Sequence, residues 1–170
     1  MLISKKMNAA LNEQIGHEFG ASMQYLQIAA YFAGEGLNRL AGFFFKQSGE
    51  DRDHALRLGK YLVEAGARLE IPAIPAPKYE FKSAVQAVQL ALDWEKEVTR
   101  QINSLVELAL KESDHLTYHI LGWFVKEQLE EVSAMDNVLK IVQRAGNNLL
   151  YADHTLTHEK KTGGAEGDGD

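Results

Sequence analysis

Apolar side chains spaced alternately three and four residues apart run through four stretches of this chain, and each run is broken by polar residues near its middle. Such spacing lines one face of an α-helix and buries it against other helices. The first seam runs Leu11, Ile15, Glu18, Ser22, Tyr25, Ala29 and Phe32. The second follows a GEGLN turn through Leu40, Phe44, Gln47, Asp51, His54, Leu58 and Tyr61, and stops near Gly66. The third starts after Ser83, which with Gln86 makes a capping-box signal, and runs Ala84, Val88, Ala91, Glu95, Val98, Ile102, Leu105 and Ala109. The fourth begins past Ser113 and Asp114, takes Leu121, Phe124, Gln128, Glu131, Met135, Val138 and Val142, and is closed by Gly146 and Asn147. There is no strand signal to set against these seams, and no repeat of roughly 20 to 50 residues. The expected fold is all-α, a four-helix bundle. At 170 residues, with 45% hydrophobic and 25% charged side chains, the chain suits a single soluble domain.

The connections set the topology. GEGLN and ESDHL are short, so helices one and two should be antiparallel neighbours, and three and four likewise. The link from Leu69 to Lys82 is long and carries Pro72, Pro75 and Pro77. A helix of about 28 residues measures ~42 Å, and about 14 extended residues reach ~46 Å. Prolines hold such a link extended and forbid helix. Helices two and three should therefore be parallel, joined by one long crossover. After Gly146, NNLLYADHTLTHEKK reads as a short fifth helix, either a frayed tail or an element that packs against neighbouring subunits. Residues 161–170 are Gly-rich and acidic and are expected to be disordered, which places the domain at 1–160.

Charge and composition narrow the function. Against 18 Lys and Arg stand 24 Asp and Glu, a net charge of -6, so the chain lacks the footprint of a nucleic-acid binder and attracts cations. It has no cysteine, which excludes disulfides, thiolate zinc sites and cysteine-held iron-sulfur clusters. MLISKKMNAALNEQ has no apolar run of signal-peptide length, and no segment reaches the ~18 apolar residues of a membrane span. The chain reads as cytoplasmic, with no membrane partner.

The polar interruptions lie at one level of the bundle: Glu18 on helix one, Asp51 and His54 on helix two, Glu95 on helix three, Gln128 and Glu131 on helix four. Spacing of i, i+3 puts each of the two pairs on one helical face. One acidic residue in a seam is ordinarily a partly exposed or salt-bridged carboxylate. Four carboxylates drawn into one core repel each other and lose hydration, at several kcal/mol per uncompensated ion. No seam contains Lys or Arg, so the carboxylates are either protonated or neutralised by bound metal, and metal is the better account. Oxygen-rich ligands with one imidazole and no sulfur suit iron or manganese, and a bridging carboxylate would allow two ions ~3.5 to 4 Å apart. Glu50, one position off its seam, and Glu127 and Glu130, flanking Gln128 and Glu131, would read alone as a solvated face; beside a metal centre they could hold a third ion or pass ions onward. The pairs His115 with His119 and His154 with His158 have a spacing metals can use but ordinarily stand exposed and idle; His17 faces away from its seam.

The blocks GHEF, EDRDH, DWEKE and WFVKEQLEE, in this order and with the long crossover, resemble the bacterial non-haem ferritins of the ferritin-like di-iron family over roughly residues 7 to 160. The layout of carboxylates with Glu-x-x-His motifs is one the ferritin-like fold is known for, yet here only one helix carries an acid-x-x-His, since Gln128 and Glu131 stand in place of the second. The resemblance implies a ferroxidase in a hollow 24-subunit shell that oxidises Fe(II) with dioxygen or hydrogen peroxide and stores a hydrous ferric oxide. It implies that Glu18, Asp51 and His54 hold one iron, that Glu95 and Glu131 hold the second with Asp51 bridging, and that Gln128 sits on the dioxygen side. Glu50, Glu127 and Glu130, with Glu131, match a third iron site. Tyr25 and Trp123 match aromatic residues near the family's centre that could give up an electron. Arg52 stands where the haem-binding relatives have a ligating Met, so no haem is expected. The bridging position usually holds Glu; the shorter Asp51 implies a weaker or differently bridged second site. Two other uses of the same residues stay open: a di-iron oxidase or oxygenase acting on an organic substrate, and a non-catalytic bundle whose polar core specifies packing.

Overall fold

The computed structural model describes residues 1–156, so the expectations for His158, for the end of the domain at 160 and for 161–170 lie outside the described residues. Four long helices and one short one are present: α1 (Lys5–Gly34), α2 (Asn38–Glu64), α3 (Ala84–Lys111), α4 (His115–Ala145) and α5 (Leu149–Thr155). Among the described residues there is no strand, and no helix is long and apolar enough to cross a membrane. Every residue of the four seams is buried.

Helix ends follow the local chemistry. Ser83 Oγ accepts from the Gln86 amide at 3.1 Å, while Gln86 Oε1 accepts from the Lys82 amide at 2.8 Å, a capping pair shifted by one residue from the usual reciprocal form. Asp114 accepts from the Thr117 amide at 3.0 Å and starts α4. Gly146, at φ 54°, takes the left-handed turn that ends it.

The core is split in two. One cluster joins Tyr25 and Phe32 of α1, Leu40 and Phe44 of α2, Val88 and Leu92 of α3, and Met135 and Val142 of α4. The other joins Leu11 and Ile15, Leu58 and Leu62, Ile102 and Leu105, and Leu121 and Phe124. The late half of α1 thus meets the early half of α2, the early half of α3 and the late half of α4. That pairing makes α2 and α3 parallel to each other and antiparallel to α1 and α4, as the crossover requires. Between the clusters lies the polar layer.

The crossover runs along α1. Asn12 Nδ2 donates to Arg68 O at 2.9 Å and its Oδ1 accepts from the Glu70 amide. Further on, Gln24 exchanges a pair of bonds with the backbone of Lys78, each 2.8 Å. These two side chains satisfy backbone groups that an extended segment would otherwise leave open. Pro72 presses so close to α1 that a Cβ on Gly16 would lie 2.4 Å from its Cγ. Gly16→Ala is expected to cost roughly 1–3 kcal/mol by overpacking, read as a lower denaturant midpoint at unchanged slope.

Within the described part of NNLLYADHTLTHEKK the fifth helix spans Leu149–Thr155, and it docks on the start of α2 in the same chain; residues 157–161 of that stretch lie outside the described residues. Asp153, buried, accepts from the amides of Arg39 at 2.9 Å and Leu40 at 2.8 Å, while Arg39 donates to His154 O at 2.9 Å. Leu37, the N-cap of α2, supplies no side-chain cap, and Asp153 fills that role from the far end of the sequence.

Candidate metal centre

Glu18, Asp51, His54, Glu95, Gln128 and Glu131 converge between the two halves of the core, each no more than 4% exposed. Ligand atoms of Glu18, Asp51 and His54 lie within 4.8 Å of one another, and so do those of His54, Glu127 and Glu131. His54 belongs to both groups, which therefore adjoin. Its Nδ1 lies 3.4 Å from Asp51 Oδ1 and 3.6 Å from Glu18 Oε2.

The remaining bonds fix the orientation of each carboxylate. Gln14 Nε2 donates to Glu18 Oε1 at 2.9 Å, and Gln47 Nε2 donates to Glu131 Oε2. The Tyr25 hydroxyl donates to Glu95 Oε1 at 2.5 Å, and Gln128 Nε2 donates to Glu95 Oε2 at 3.0 Å. Glu95 thus has both oxygens engaged and belongs to neither ligand group. In contrast Glu18 Oε2, Asp51 Oδ2 and Glu131 Oε1 are buried with no hydrogen-bond partner. Glu18 Oε2 faces His54 Nδ1 at ion-pair distance without a hydrogen bond, and buried acceptors left without a hydrogen bond are costly unless a cation meets them. Their convergence on an imidazole is the structural reason to read the layer as a metal site; the donor set, oxygen with one nitrogen, fits iron or manganese.

The electrostatics of these residues agree. Burial pushes the Asp51 carboxyl well above the usual range, with Glu95 and Glu18 adding to the rise and His54 opposing it. Burial also raises Glu95, against the hydrogen bonds from Tyr25 and Gln128. Glu131 is pushed up to about 7, first by burial and then by the charges of Glu95 and Glu50. Burial would depress the imidazole of His54, but Asp51 and Glu18 outweigh it and raise it to about 10. All four shifts favour the protonated forms, so a cation entering the site competes with protons.

The other expected residues are distributed around this layer. Glu127 is half-buried and joins the second ligand group. Glu50 is 21% exposed, with Lys46 Nζ 3.8 Å from it, and its charge reaches Glu131. Glu130 is exposed and joins neither group among the described residues. Tyr25 is fully buried; burial and then Glu95 push its hydroxyl well above the ordinary value. The Trp123 ring centre lies 5.4 Å from that of His54, edge to face. Arg52 and Asp53 stay on the outer surface, and His17, His115, His119 and His154 are exposed.

Sequence reading passed over Gln14 and Gln47 as site residues. The signal was present in spacing: each sits one turn before a ligand-type residue, Gln14 before Glu18 and Gln47 before Asp51, and Gln47 lies within an apolar seam.

Comparison with known proteins follows the same lines. The Ferritin-like domain family matches residues 8–145. Ferritin BfrB of Mycolicibacterium smegmatis is 40% identical over 164 residues, 96% of this chain and 91% of that protein. The bacterial non-heme ferritin of Staphylococcus aureus is 36% identical over 152 residues, covering 88% of this chain and 92% of that one. An open pore ferritin from the hyperthermophilic archaeon Archaeoglobus fulgidus superimposes with a TM-score of 0.88 at 33% identity, over 93% of this chain and 98% of that chain.

Proposed function

Since the chain belongs to the ferritin family, we propose that it is a ferritin subunit with ferroxidase activity. It binds Fe(II) as substrate at the centre between the two core halves, oxidises it with dioxygen or hydrogen peroxide, and stores the product as hydrous ferric oxide inside a 24-subunit shell. It works in the cytoplasm and without haem. The observation that carries this reading is the set of buried oxygens on Glu18, Asp51 and Glu131 that make no hydrogen bond and gather around His54.

Each residue has a task in that chemistry. Glu18, Asp51 and His54 take one Fe(II); Glu131, with Glu95 and Glu127 at hand, takes the other. Gln14 and Gln47 hold Glu18 and Glu131 so that their free oxygens face the ions. Two Fe(II) each lose one electron. Dioxygen accepts the pair with two protons to give hydrogen peroxide, and hydrogen peroxide accepts a pair with two protons to give two waters. Protons displaced from His54 and Glu131 on iron binding are a local source. Glu50, Glu127 and Glu130 provide the onward acidic face, and Tyr25 and Trp123 stand by as oxidisable rings.

Size-exclusion mass combined with iron loading tests the reading. A shell mineralising many irons per subunit supports it; a small oligomer keeping two irons points to an oxygenase, and no iron binding to a structural bundle. Asp51 is the expected point of difference from relatives, because it sits in the group with Glu18 and His54 and outside the group with Glu127 and Glu131. Asp51→Glu should change the rate of ferrous oxidation in stopped flow without loss of iron binding. Identical rates and stoichiometry would refute a special role for the shorter side chain.

A further inference from the structure

Two oxidisable rings flank the candidate centre, and their surroundings differ in kind. The Tyr25 hydroxyl has a carboxylate oxygen to receive its proton, Glu95 Oε1 at 2.5 Å. Trp123 instead carries the guanidinium of Arg57 on its ring, 4.0 Å from the ring centre, and packs at a steep angle against the His54 imidazole, centre to centre 5.4 Å. Arg57 is one turn after Asp53 on the outer side of α2 and is exposed, so it is free of the buried ligand network.

Taking an electron from an indole leaves a radical cation. A fixed positive charge over the ring attracts the neutral indole through its negative face and repels the oxidised product. Both effects make the ring harder to oxidise. A phenol that loses an electron while passing its proton to a carboxylate leaves a neutral radical, and the guanidinium is no obstacle to that. We propose that Arg57 is a positioning residue that protects Trp123: by sitting on the indole it keeps this ring reduced beside an oxidising centre, and leaves Tyr25 as the ring able to supply an electron. The benefit during turnover rests on the ferroxidase reading; the protection of the ring does not. In the step that Arg57 opposes, a hydroxyl radical formed from hydrogen peroxide and Fe(II) takes one electron from Trp123 and becomes hydroxide, and the indole is left as its radical cation.

The chain supplies its own reference. Trp94 is also half-buried, packed near Gly20, and among the described residues no cation lies on its ring. The experiment compares the parent protein with Arg57→Gln, which keeps a polar side chain beside the ring without charge or an oxidisable sulfur, and Arg57→Lys, which keeps the charge. Each is exposed in two arms: metal-free protein with photochemically generated sulfate radicals, and protein given Fe(II) with hydrogen peroxide. Peptide mass spectrometry reads oxidation at Trp123 relative to Trp94. In the metal-free arm the ratio should rise about tenfold in Arg57→Gln and stay near the parent value in Arg57→Lys. An unchanged ratio in Arg57→Gln overturns the proposal, and an equal rise in both variants overturns it too, by showing steric cover in place of charge. The iron arm bears on the function separately: Fe(II) oxidised no faster than in protein-free solution counts against the ferroxidase reading and leaves the metal-free result standing.

Discussion

Glu131→Gln is expected to lower ferrous oxidation by roughly 100-fold or more while making the metal-free protein more stable at pH 8. Removing an outer partner of a ligand already costs about 10- to 100-fold in metal affinity or activity, and Glu131 contributes one of the unpartnered oxygens itself. The gain in stability has a separate cause. Burial, then Glu95 and Glu50, raise this carboxyl to about 7, so at pH 8 the folded chain has to hold it ionised at a cost. The amide is neutral, has the same shape, and keeps an oxygen to accept from Gln47. The gain should be roughly 1–3 kcal/mol, seen in denaturant melts of metal-stripped protein. A variant that loses stability at pH 8, or that oxidises iron at the parent rate, would show that Glu131 is packed for the fold and not for the ion.

Metal-free protein should lose thermal stability as pH rises from about 5 to 10, by about 5–10 °C, and a saturating redox-inert divalent ion should reverse that trend. The sign follows from both raised groups. Glu131 rises from 4.5 to about 7 and His54 from 6.5 to about 10, so the folded chain keeps protons that the unfolded chain has released. Stability held by those protons is complete below the unfolded values and is lost as pH climbs through the folded ones. The loss runs first between about 4.5 and 7 through Glu131, then between 6.5 and 10 through His54. Asp51 and Glu95 shift in the same direction. Metal ions need the unprotonated ligands, so binding should release more protons per subunit at pH 6, where Glu131 and His54 both carry one, than at pH 8, where Glu131 has lost its own. Titration with Co(II) in weakly buffered solution reads this directly. Proton release that does not change with pH would mean that the ions settle on the exposed acidic face.

Much of this arrangement was legible because helical spacing carries it. The seams, the caps at Ser83 and Asp114, the proline-held crossover and the coincidence of Glu18, Asp51, His54, Glu95, Gln128 and Glu131 at one level all follow from local rules applied to residue types. What spacing cannot convey is which oxygen of a carboxylate is already satisfied. Glu95 reads as a ligand from its place in the seam, yet Tyr25 and Gln128 each donate to one of its oxygens. Likewise Asp153 looks like an ordinary acid on a short helix; that it caps α2 depends on two segments more than a hundred residues apart meeting in space. The Arg57 contact with Trp123 is of the same kind, a surface cation whose meaning lies on the neighbouring helix.

The divided core has a mechanical corollary. Each of the four long helices lends one half to either hydrophobic cluster, so neither end of the molecule corresponds to a continuous piece of chain. The ligands that meet at the division come from α1, α2 and α4. An ion seated there ties those three helices at their midpoints, where the helices otherwise face each other through protonated and repelling groups. Filling and emptying the centre with a cation should therefore change the bending stiffness of the whole bundle, firm with the three midpoints tied and more compliant with them released.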